Sequence, residues 1–157
     1  RVTLDPLTSH ARLLLSPDGL GARWAYGGPE PSANPERFTG APCVLGSPAF
    51  TSGRHTWTVT VTEAPFCAVG VSLESVPRRG PAATLGPGHG VWAVQRWGGP
   101  GRALTEPPTP LPRFPHRLRV ALDYEGGRVA FFDGDSCSST PLFAFPAAAF
   151  RGERLRP

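Results

Sequence analysis

Hydrophobic and polar residues alternate most regularly in Thr56-Trp57-Thr58-Val59-Thr60-Val61-Thr62, where Trp57, Val59 and Val61 share one face and threonines occupy the other. A period of two with one apolar face is the pattern of a half-buried antiparallel strand. A second signal runs from Leu118 to Asp133. Leu118, Val120 and Leu122 fall on one face of its first half, and Val129 and Phe131 on one face of its second. Between the halves lies Glu125-Gly126-Gly127, and glycine reaches the positive φ that a tight turn requires. The stretch predicts a hairpin whose apolar side needs a second layer, because an isolated hairpin is not stable in water.

Further strands follow from shorter runs. Phe66-Cys67-Ala68-Val69-Gly70-Val71 is apolar on both faces and predicts an inner strand, reached through a turn at Glu63-Ala64-Pro65. Val91 to Trp97 predicts a strand closed by Gly98-Gly99-Pro100-Gly101, with Arg102 to Thr105 returning beside it. Ala11 to Ser16, Leu20 to Trp24 and Leu142 to Phe145 are shorter candidates, and Ala147 to Phe150 is a short apolar stretch. Asp5-Pro6 and Pro35 could each start one helical turn. Pro77 to Gly90 and Pro107 to Pro115 read as loops, the second of polyproline character. Short strands separated by turn residues, with no long amphipathic helix, predict an all-β sandwich.

Composition narrows the function classes. A chain of 157 residues suits one domain. Gly and Pro are abundant, but they punctuate strand-like runs instead of forming tracts. The formal charge is +4, carried entirely by arginine, since the chain has no lysine. The arginines are scattered and are not interleaved with aromatics on one stripe, which argues against a nucleic-acid surface. Cys43, Cys67 and Cys137 are odd in number and far apart, the pattern of buried reduced thiols in a cytoplasmic protein. No run approaches membrane-spanning length, so no membrane insertion by this chain is expected.

Enzyme signatures are missing. The sequence holds no GxSxG, GxGxxG, GxxxxGK or HExxH motif, and His10, His55, His89 and His116 are widely separated. Asp133 and Asp135 beside Ser136 lack calcium-loop spacing. Neither catalytic residues, metal ligands nor cofactors are expected.

Leu4-Asp5-Pro6-Leu7-Thr8-Ser9-His10 with Leu13, Leu15-Ser16 and Asp18 resembles the opening motif of the PRY segment. Cys43-Val44-Leu45-Gly46, Phe50 and Ser52-Gly53-Arg54-His55-Thr56-Trp57 resemble the SPRY signature that follows it. Val69-Gly70-Val71, Gly90-Val91-Trp92-Ala93-Val94 and Leu122 to Val129 with Phe131-Phe132 continue the pattern in order. Nearly the whole chain is thus similar to the PRY-SPRY domains of tripartite-motif ubiquitin ligases and butyrophilins. Thr58 and Thr60 stand where members usually carry acids, and Cys67 where many carry tryptophan. The resemblance implies a bent two-sheet, concanavalin-like sandwich, with PRY over about residues 1–42 and SPRY over about 43–157. It further implies another family strand beyond Pro157, completing a sheet and one cleft wall.

The resemblance also implies a non-catalytic, monomeric module that binds a protein or peptide target. In tripartite-motif ligases such a domain selects the substrate for a RING domain elsewhere. The alternative is a butyrophilin-type cytoplasmic sensor of a small phosphorylated ligand. Strand parity independently picks a face: with Trp92 and Val94 inward, Val91, Ala93, Gln95 and Trp97 point outward. Burying Cys67, Val69 and Val71 likewise leaves Phe66 and Ala68 outside. In the family, positions matching Ala68, Gln95 and Trp97 line the cleft, and the loop holding Arg78 and Arg79 overhangs it. Trp97 would be the anchor, Gln95 a neutral donor and acceptor, and Ala68 an uncharged floor. Arg78 and Arg79 are placed to receive an acidic peptide or a phosphate, and for the anionic alternative Arg54, Arg78, Arg79 and Arg102 would have to converge. Trp24 is expected in the core.

Overall fold

The computed structural model describes residues 1–28, 30–61, 64–80, 85–146 and 148–157. Eleven strands follow in order among these residues: β1 (Leu13–Leu15), β2 (Ala22–Trp24), β3 (Arg54–Thr60), β4 (Phe66–Leu73), β5 (Val91–Trp97), β6 (Arg102–Ala103), β7 (Thr109–Pro110), β8 (Arg117–Asp123), β9 (Arg128–Asp133), β10 (Phe143–Phe145) and β11 (Leu155–Arg156). They form an antiparallel four-stranded sheet in the order β10-β9-β8-β3, a five-stranded sheet in the order β11-β4-β5-β6-β7, and a two-stranded ribbon of β1 and β2. The one helical element described is a 3-10 turn, Pro87–His89.

The alternation that defines β3 and β8 is what closes the sandwich. β3 pairs with β8 from Arg54 opposite Asp123 to Thr60 opposite Arg117. Leu118, Val120, Leu122, Val129 and Phe131 are all buried, and they pack with Val71, Trp92, Val94 and Ala103 of the other sheet. Phe150 meets Trp92 edge to face, ring centres 5.0 Å apart. The hairpin turn between β8 and β9 depends on Gly127, whose φ is +61°.

The outer face of the five-stranded sheet is covered in instalments. At the β11 end, the N-terminal fifty residues close over it. Buried Arg156 donates from Nε to the Gly46 carbonyl at 2.8 Å, from Nη2 to Asp5 at 2.7 Å and from Nη1 to Glu74 at 3.2 Å. Phe50 and Leu155 exchange backbone hydrogen bonds at 2.8 and 2.9 Å. In the middle, Val76 and Leu85 of the β4–β5 connection pack on Val91, Ala93 and Leu104 in a second small cluster. Among the described residues, the remaining corner, at the β5–β6 turn, stays open.

Several sequence expectations change. Trp24 is not core but 45% exposed, because among the described residues no layer covers that face of the β1–β2 ribbon; its ring stacks on His10 and meets Tyr26 edge-on. Cys137 is exposed, while Cys43 and Cys67 are half-buried and burial pushes both their thiols up; all three are free. The N-terminal helical turns are single hydrogen-bonded turns, Thr8 donating to the Asp5 carbonyl and Arg37 to that of Asn34. Pro107 to Pro115 is not all loop, since Thr109–Pro110 pairs with β6. Thr62, Glu63 of the expected turn, residues 81–84 of the expected loop and Ala147 lie outside the described residues.

Candidate functional site

The antiparallel register of β4, β5 and β6 assembles the open corner. Phe66 lies opposite Trp97, Ala68 opposite Gln95, Gln95 opposite Arg102, and Arg102 opposite Pro110 of β7. Side chains directly across a ladder share a face. One outward surface therefore carries Phe66, Ala68, Gln95, Trp97, Arg102 and Pro110. Phe66 and Trp97 are 71% and 68% exposed. Two large neighbouring rings left in water form the kind of apolar patch that marks an interaction surface.

Its polar part is ordered. Arg102 lies over Trp97, its Cζ 5.6 Å from the ring centre. Its Nε and Nη2 donate to the Gln95 side-chain oxygen at 3.2 and 3.0 Å. Beneath the corner, Arg96 points the opposite way. Its Nη2 donates to the carbonyls of Val61 and Ala64 at 2.8 and 2.6 Å, and its Cζ lies 5.0 Å from the Phe114 ring centre. The end of β5 is thereby tied to the other sheet, so the exposed rings stand on a braced strand.

Parity placed Gln95 and Trp97 correctly outward, yet Val91 and Ala93 on the same face are buried under the β4–β5 connection. Of the four arginines expected to converge, Arg102 lies on the corner, while Arg54 and Arg78 are engaged elsewhere. Arg78 is spent on the protein itself, donating to the carbonyls of Glu36, Val76 and Glu74 at 2.6, 3.2 and 2.8 Å and lying 5.4 Å over Phe38. Desolvation, reinforced by Arg156, pulls its pKa below the usual arginine range. Arg79 is exposed on the same loop. Arg54 belongs to the other sheet, 3.6 Å from the Asp123 carboxylate, beside a broad depression of about 390 Å³ that also involves Thr56, Ala121 and Arg128. It opens β3, whereas Val61, beyond the other end of β3, meets Arg96; at about 3.3 Å per residue that is roughly 20 Å away. Pro110, which borders the corner, was missed in the sequence. A two-residue strand leaves no period to read.

Comparison with known proteins identifies the fold and the family. The PRY model, a SPRY-associated domain, matches residues 2–50, and the SPRY domain model matches residues 54–157. RING finger protein 39 of Homo sapiens is 43% identical over 176 residues, covering 99% of this chain and 41% of that protein. E3 ubiquitin-protein ligase TRIM15 of Sus scrofa is 45% identical over 161 residues, covering 97% of this chain and 33% of that protein. The crystal structure of the TRIM65 PSpry domain superposes with a TM-score of 0.82 at 22% identity, over 99% of this chain and 81% of that one. The chain belongs to the PRY-SPRY family and is a protein-interaction module. It spans less than half the length of the curated relatives it matches.

Proposed function

We propose that this domain is the target-recognition module of a tripartite-motif-type ubiquitin ligase, and that it docks its target on the corner formed by Phe66, Ala68, Gln95, Trp97 and Arg102. The observation that carries this reading is the pair of exposed rings, Phe66 opposite Trp97, on a strand end braced by Arg96. Buried aromatic anchors dominate interface energies, and Trp97 already has Arg102 over it before a partner arrives. The ligase assignment rests on the kinship to TRIM15 and RING finger protein 39. In such a parent the domain acts as a monomer that brings the target within reach of a RING. Three free cysteines suit the reducing cytoplasm, where we place this work.

A small phosphorylated ligand would need several cations in one place, and among the described residues Arg102 is the one arginine on the outward face of this corner. The decisive experiment is affinity capture with the chain as bait, compared with Trp97→Ala and Phe66→Ala. Each ring replaced should weaken target binding by at least about 2 kcal/mol, roughly thirtyfold. Capture unchanged in both variants would exclude this face.

A further inference from the structure

Among the described residues the corner has one ionised group, Arg102, and no opposite charge to satisfy it. The four strands β4 to β7 contain no Asp or Glu, and the turn Gly98-Gly99-Pro100-Gly101 is neutral. Glu106, four residues beyond Arg102, is exposed in the β6–β7 turn and makes no ion pair among the described residues. Arg102 points its Nε and Nη2 at Gln95, and among the described residues no oxygen receives Nη1. Arg54, Arg113, Arg117, Arg154 and Arg156 each face a carboxylate, and Arg78 and Arg96 are met by backbone carbonyls; Arg119, like Arg102, lies over a ring, that of Phe132, with no carboxylate partner among the described residues. Arg102 lies over Trp97, is steadied by a neutral amide, and is itself exposed.

We infer that the corner recognises an acidic peptide segment, with Arg102 reading a carboxylate and Phe66 and Trp97 receiving a bulky apolar side chain beside it. This rests on the corner being the docking face. A guanidinium held in a fixed plane meets a carboxylate through parallel N–H donors, and each such charge-assisted bond is stronger than a neutral one. Gln95 is the positioning residue. Its side-chain oxygen takes the inner donors of Arg102, so the guanidinium is ordered before the partner binds and less freedom is lost on association. Spacing follows from the sheet. Strands lie about 4.8 Å apart, which separates the Phe66 and Arg102 columns by roughly 10 Å. An extended peptide covers that distance in about three residues, so the carboxylate belongs two or three positions from the apolar residue.

The probe is a set of immobilised heptapeptides holding one leucine or tryptophan with glutamate two and three positions on, compared with the same peptides carrying glutamine or lysine. The chain should prefer the glutamate set by about tenfold over the glutamine set, a preference that fades as salt rises to about 0.5 M. Arg102→Gln should erase the preference, and Arg102→Glu should transfer it to the lysine set. Gln95→Leu should narrow the ratio between the glutamate and glutamine sets. Trp97→Ala should lower retention of every set. Equal retention of the glutamate and glutamine sets, with the Trp97→Ala loss intact, overturns the acidic partner while leaving the docking face. Undiminished retention by Trp97→Ala overturns the face as well, and failure of the folded chain to retain any set overturns both.

Discussion

Arg156 shows how much a single side chain can organise. It is almost fully buried, and its three nitrogens reach Gly46, Asp5 and Glu74, residues distant from one another in the chain. A buried guanidinium is tolerable only when its donors are all met. Removing it strands the partners as much as it removes the charge. Arg156→Met keeps the stem's packing but leaves Asp5 and the Gly46 carbonyl without their donors. We expect a loss of about 3 kcal/mol, because Asp5 and Glu74 retain partial access to water. That lowers the thermal midpoint by roughly 6–12 °C in a domain of this size. Calorimetry showing a midpoint within about 2 °C of the parent would refute the role given to this residue. At this scale the sequence was least legible: Arg54, Arg78, Arg102 and Arg156 look alike as letters. Only the structure separates the one against a surface acid, the one folded onto backbone carbonyls, the one stacked on Trp97 and the one buried.

Among the elements, legibility followed length and half-burial. β3 could be read because seven residues alternate between water and core, and β8 and β9 because their apolar faces are opposed across one turn. β7 and β11 have two residues each, and what makes them strands is a neighbour supplied by the rest of the fold. The same limit governs the candidate site. Parity assigns Val91, Ala93, Gln95 and Trp97 to one face, but it cannot say that the β4–β5 connection covers the first two. Trp24 failed for the mirror reason, since its hydrophobicity could not report that, among the described residues, no layer covers that face of its ribbon. The β4–β5 pair is unusually close at Gly70. A methyl group there would fall 2.1 Å from the Trp92 carbonyl oxygen and 2.6 Å from the Ala93 Cα. Neither backbone atom can move without disturbing the ladder that carries Phe66 and Trp97. Gly70→Ala should therefore destabilise the domain by about 1–3 kcal/mol and also weaken target capture. A denaturant midpoint equal to the parent's, with an unchanged slope, would show that the ladder absorbs the methyl group.

On the scale of the molecule, the N-terminal fifty residues are part of the sandwich's closure and not an appendage. They contribute Asp5 and Gly46 to Arg156, Phe38 beneath Arg78, and the Phe50 rung to Leu155, which is completely buried. The PRY and SPRY matches, residues 2–50 and 54–157, thus describe two stretches of sequence that share one packed unit. A chain beginning at Thr51 would expose Leu155 and Arg156 along the β11 edge, and uncovered edges invite association. We expect it to give poorly dispersed amide resonances and to aggregate. A soluble monomer with native dispersion would disprove that unity.

The five side chains of the open corner all rise from rungs whose other face is interior: beneath Phe66, Ala68, Gln95, Trp97 and Arg102 the same strands turn Val69, Val94 and Ala103 inward. What the surface displays is consequently decoupled from what keeps the chain folded. Those five letters can be rewritten together, as a lock is re-keyed without rebuilding the door, and a lineage can acquire new clients while inheriting its scaffold unchanged.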